Sequence, residues 1–170
     1  MKVRNGFVTN SSSSSFILAF KDEADYDKFT NRCHEYGYEQ LSNLIDRIRN
    51  SENRTNEQLC TEAIANLYHW TICDTTQEYV RKHIPSSVHY PEYIHEEQRI
   101  KESEEYKEHI RKFIATTDFD EKKKMLEDAE IIVSATIWDS NGGLLEFAIR
   151  NGLLQEWPIW TWLVSQFDIG

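Results

Sequence analysis

The hydrophobic pattern along the chain changes period four times. Phe16-Ile17-Leu18-Ala19-Phe20 is an unbroken apolar run, β-branched and aromatic, and predicts a short strand buried on both faces. From Asp22 the period lengthens. Tyr26, Phe29 and Cys33 fall at helical spacing behind the first-turn acids Asp22, Glu23 and Asp25, and Gly37 ends that helix. Leu41, Leu44, Ile45 and Ile48 form the apolar stripe of a second helix, followed by a polar loop from Asn50 to Arg54. Thr55 and Gln58 make a capping box, behind which Leu59, Ala63, Ile64, Leu67 and Trp70 predict a third helix. Thr75 or Thr76 is set to cap a short fourth, with Tyr79, Val80 and Ile84 inward. The connector from Pro85 to Pro91 is irregular, and Pro91 suits the first position of a long polar helix from about Glu92 toward Phe113. A short amphipathic piece follows around Phe119 to Leu126.

The last third returns to β. Ile131 to Trp138 reads as a second buried strand, and Asp139-Ser140-Asn141-Gly142-Gly143 as a turn. Leu144 to Asn151 reads as a short helix with Gly152 at its C′ position, Trp157-Pro158 turns the chain, and Trp160 to Phe167 is a third strand. The expected fold class is α/β, with α+β also open. It has a small three-stranded sheet (16–20, 131–138, 160–167), about six helices and a helix-rich middle, in a single domain over residues 1–170. The final strand-helix-strand unit reads as βαβ with parallel strands. Its short connector leaves a hairpin-like antiparallel arrangement open.

Composition narrows the function classes. With 29 acidic against 19 basic residues, the net charge of −10 repels polyphosphate, so no nucleic-acid partner is expected. No apolar window approaches the length of a transmembrane helix, and no secretory apolar region follows Met1-Lys2-Val3-Arg4. Cys33, Cys60 and Cys73 are odd in number and widely spaced, which suits a reducing compartment. The cytoplasm is the expected location, with no membrane association.

The opening Gly6-Phe7-Val8-Thr9-Asn10-Ser11-Ser12-Ser13-Ser14-Ser15-Phe16 resembles a stretch, Gly-Phe-Val-Ser-Asn-Ser-Ser-Ser-Ser-Ser-Phe, shared by uncharacterised bacterial and bacteriophage proteins. Thr9 departs from it but keeps the hydroxyl. The resemblance covers roughly the first tenth of the chain and implies a bacterial or phage setting. It carries no catalytic residue.

Two places carry candidate chemistry. The serine run reads as a polar linker or a strand lead-in, or else as an anion-binding concavity in which Ser12 and Ser13 take part. Asp139, Ser140, Asn141, Gly142 and Gly143 follow a strand and precede a helix, where α/β sheets bind ligands. Yet the string matches neither a P-loop nor the dinucleotide fingerprint, and a simple turn with a helix cap explains it too. The two places share one end of the sheet only if the first two strands are antiparallel. Trp157 and Pro158 read as rim residues that could anchor a protein partner, or else as packing of a satellite core. Cys73, His83, His89 and His95 are too widely spaced for a zinc site, so neither metal nor cofactor is expected. Glu97 and Lys101 predict ordinary pairing along the acidic helix. No motif assembles nucleophile, base and oxyanion donors. The preferred reading is a non-enzymatic protein-binding or regulatory domain. The alternative is a small enzyme or a phosphate- or nucleotide-binding domain using the Asp139–Gly143 segment.

Overall fold

Strand β1 (Ser13–Phe20) forms where the apolar run demands it, and it lies at the centre of the sheet. The computed structural model describes residues 13–163. Around β1 the chain adds α1 (Glu23–Glu35), α2 (Glu39–Asn50), α3 (Asn56–His83), α4 (Glu92–Glu102), α5 (Glu104–Ile114) and α6 (Phe119–Asp128). It finishes with β2 (Ile131–Trp138), α7 (Asp139–Arg150) and β3 (Ile159–Leu163). The strand order is β2-β1-β3, and both neighbours run antiparallel to β1. β2 and β3 are therefore parallel to each other, joined through α7, with β1 inserted between them. This settles the βαβ question against the hairpin arrangement.

The contacts divide the chain into two compact units, residues 1–64 with 124–170 and residues 65–123. In the first, one sheet face carries Phe16, Leu18, Phe20, Ile131, Val133 and Ile137. These pack with Tyr26, Phe29 and Cys33 of α1, Leu41, Leu44 and Ile45 of α2, and Leu145 and Ala148 of α7. The opposite face holds the buried Ile17, Ala19 and Ile132. Both β1 faces are thus apolar and buried along Phe16–Phe20, which is why no alternation is visible there. Helices α1 and α7 leave through matching Schellman turns. Gly37 and Gly152 both take φ +79°, with Tyr38 N bonded to Cys33 O at 2.7 Å and Leu153 N to Ala148 O at 3.0 Å.

The second unit packs Val80 and Ile84 of the α3 end against Ile100, Tyr106 and Ile110. Its acids pair along their own helices: Glu96 with Arg99 (2.6 Å), Glu97 with Lys101 (3.3 Å), Glu104 with Lys107 (3.6 Å), and Glu108 with Arg111. No helix among the described residues is long and apolar enough to cross a membrane.

Four expectations are corrected. Thr75 and Thr76 cap nothing, because α3 runs unbroken past them; their hydroxyls meet His109 (3.3 Å) and Tyr106 (2.6 Å) instead. The helix expected over 92–113 breaks at Ser103, whose ψ of 151° and side chain, accepting from Tyr106 N, make it the cap of α5. The serine run is strand from Ser13 onward; Ser12 and residues 164–167 of the expected third strand lie outside the described residues. Asp139–Gly143 is the start of α7 rather than a turn. The buried Leu145 and Ala148 hold that helix on the sheet, and this packing outweighs the glycine penalty of about 1 kcal/mol per residue.

Candidate functional site

The antiparallel β1–β2 register pairs Ser13 with Trp138, so the serines and the start of α7 meet at one end of the sheet. Asp139, Ser140, Asn141 and Gly142 form the first turn of that helix. Gly143 is exposed, with nothing within 4 Å of where a Cβ would stand. Ser15 Oγ and Thr136 Oγ1 are hydrogen bonded at 2.8 Å across the strands. Ser14, 7% exposed, lies on the helix-bearing face opposite Ile137.

Trp157 is not at the rim. Its ring is 3% exposed and packs edge-on against Phe29 at 5.5 Å, under the Arg32 guanidinium at 5.4 Å. Its Nε1–H donates to Asp25 Oδ1 at 3.1 Å, and the other Asp25 oxygen accepts from Lys21 N at 3.0 Å. Lys28 and Arg32 both grip the neighbouring Glu156 and hold its carboxyl below the ordinary value. Pro158 is half-buried, and its carbonyl accepts from Ala19 N at 3.1 Å. Trp157 is part of the packed interior because the turn after Gly152 returns the chain to the face of α1.

The exposed aromatic surface is elsewhere. The two Schellman turns meet where Asn151 Nδ2 donates to Tyr38 Oη at 3.1 Å. Between them is a cavity of about 440 Å³ lined by Arg32, Tyr36, Tyr38, Asn151, Gly152, Leu153 and Gln155. Tyr36 is 63% exposed, and Phe147, one turn before Asn151 on the same α7 face, is 54% exposed. The strings Tyr36-Gly37-Tyr38 and Asn151-Gly152 are visible in the sequence as helix exits. Only the α2–α7 packing brings them together.

A third cluster lies beside β2. Arg54 donates to both oxygens of Glu52 (2.7 and 2.8 Å), to Glu62 Oε1 (2.7 Å) and to the Ser134 carbonyl (3.3 Å). The guanidinium pulls the Glu52 carboxyl down to about 2. A pocket of 260 Å³ runs alongside, between Ile48, Leu59 and Ile131–Val133.

Burial pushes the Cys33 thiol up to about 12, so it is no nucleophile for the adjacent His34. Among the described residues no group of three or more His, Cys, Asp or Glu side chains is placed to hold a metal ion. No family model, curated protein or solved structure matches this chain.

Proposed function

We propose that this chain is a non-enzymatic protein-binding module whose partner docks a short segment on the groove between Tyr36, Tyr38 and Phe147. One observation carries the reading: the exposed Tyr36 and the half-buried Tyr38 line a side-chain-sized cavity at two helix exits locked by Schellman turns, and Phe147 is exposed one turn before Asn151 of its wall. Tyr and Arg dominate binding hot spots, and Tyr offers contact area at low entropic cost. Asn151 and Gln155 add adaptable amides at the groove wall. The free state of Cys33, Cys60 and Cys73 supports a reducing compartment, a bacterial or phage cytoplasm in this reading.

A second reading places a phosphate-bearing ligand at the sheet end shared by Ser13 and Asp139. The antiparallel register favours it, since a parallel one would separate them by a strand length, ~20 Å.

Peptides selected from a displayed library on the wild-type chain test the first reading. They should bind at least ~10-fold more weakly to Tyr36→Ala and Phe147→Ala, a loss of about 1.4 kcal/mol or more. Peptides indifferent to both substitutions would refute the groove. Binding of inorganic phosphate or nucleotide that is lost on Asp139→Asn would favour the second reading.

A further inference from the structure

Strand β2 is an edge strand, with β1 on one side and no strand on the other among the described residues. Alternation fixes which of its backbone groups face outward. Ala19 N donates to Pro158 O, so the odd residues of β1 turn their backbone groups toward β3 and the even ones toward β2. The even residues pair with odd residues of β2, as Phe20 with Ile131 and Leu18 with Val133. The outward N–H and C=O groups of β2 therefore belong to Ile132, Ser134 and Thr136. The Arg54 bond to Ser134 O agrees with this parity.

The three outward residues are symmetric about Ser134. A second copy of β2, antiparallel on a twofold axis through Ser134, would pair Ile132 with Thr136, Ser134 with Ser134, and Thr136 with Ile132. That contact is isologous and closes on itself. Ile131–Trp138 also contains no charged residue and no proline, the composition most prone to pair with its own kind. A charge set against its outer edge comes from another segment. Arg54 occupies the central carbonyl, where the dyad would lie, and its guanidinium is held there by Glu52 and Glu62.

We infer that Arg54 is a latch over the free edge of β2, and that the surface it closes is a self-pairing surface for a second copy of this chain. The guanidinium supplies the donor that a neighbouring strand would supply, and its bulk keeps that strand away. Releasing it exposes a ladder centred on Ser134. The inference is independent of the aromatic groove.

The test measures mass by light scattering across a concentration series, together with backbone amide exchange, on the full chain. Arg54→Ala should show a concentration-dependent doubling of mass relative to wild type. The amides of Ile132, Ser134 and Thr136 should slow at least ~10-fold in the same sample. Adding Thr136→Pro, which removes one outward N–H, should restore the wild-type mass. Wild-type mass and fast edge amides in Arg54→Ala would overturn the inference, as would a doubling that Thr136→Pro leaves intact. If Arg54→Ala does not fold, Glu62→Gln decides by the same readouts: it removes one anchor of the guanidinium at an exposed carboxylate.

Discussion

The contact between Trp157 and Asp25 gives the sharpest prediction about stability. Trp157→Phe keeps an aromatic ring against Phe29 but removes the indole N–H that bonds Asp25 at 3.1 Å. A hydrogen bond to a charged acceptor contributes about 1.5–3 kcal/mol. The smaller ring also weakens the stacking of Arg32, worth roughly 0.5–1 kcal/mol at a partly exposed site. The expected loss is about 2–4 kcal/mol. At roughly 2–4 °C per kcal/mol for a chain of this size, the melting temperature falls by about 4–16 °C. Asp25→Ala loses the same bond from the other side, along with the one accepted from Lys21 N, and strands a buried indole N–H at a cost of about 1–3 kcal/mol. In the double variant the shared bond is lost only once, so the cycle should show a coupling on the order of 1–2 kcal/mol. Urea denaturation followed by circular dichroism reads all four corners. A Trp157→Phe loss below ~0.5 kcal/mol, or no coupling, would put Trp157 back at the surface and undo the core assignment.

Other outcomes follow from the same geometry. Glu52 is held at about 2, below the ordinary carboxyl value of 4.5, so its stabilisation is present above about 4.5 and is lost as the pH falls toward 2. Glu52→Gln should flatten that acid limb by about 1–2 kcal/mol between urea midpoints at pH 6 and pH 3; an unchanged slope would show that Arg54 does not grip it. Gly143→Ala, helical and unobstructed, should stabilise by about 0.5–1 kcal/mol in thermal melts, whereas a loss would argue that the segment is a turn. Gly37→Ala, at φ +79°, should cost about 1–2 kcal/mol in the same assay, and a neutral result would show that the Schellman turn is not needed. Cys33 should resist alkylation, read by mass spectrometry, while the half-buried Cys60 and Cys73 react first; rapid labelling of Cys33 would contradict its burial.

The sequence showed its helices and strands most clearly where one local signal acted alone. The capping box at Thr55 forms as its spacing predicts, with Thr55 N on Gln58 Oε1 at 2.9 Å and Gln58 N on Thr55 Oγ1 at 3.1 Å. Readings failed where a distant contact outbid the local one. Thr75 and Thr76 have capping chemistry, but α5 engages their hydroxyls. Asn141-Gly142 has turn chemistry, but the sheet engages Leu145 and Ala148. Trp157 beside a proline resembles a rim residue until Asp25, 132 positions away, satisfies its N–H. The groove at Tyr38 and Asn151 was invisible for the same reason, since neither helix exit carries a sign of the other.

The placement of β1 has a consequence for how the chain acquires its fold. Its partner strands arrive late, for Phe20 pairs with Ile131. At ~5–20 residues per second of synthesis, Phe16–Phe20 waits on the order of 5–20 seconds for a strand to pair with. During that interval the helices nearest in sequence are available. Tyr26 and Phe29 of α1 and Leu41 and Ile45 of α2 cover the face that holds Phe16, Leu18 and Phe20. The α1–α2 hairpin then serves as a built-in chaperone, shielding one side of the nascent strand and leaving both of its edges open for β2 and β3.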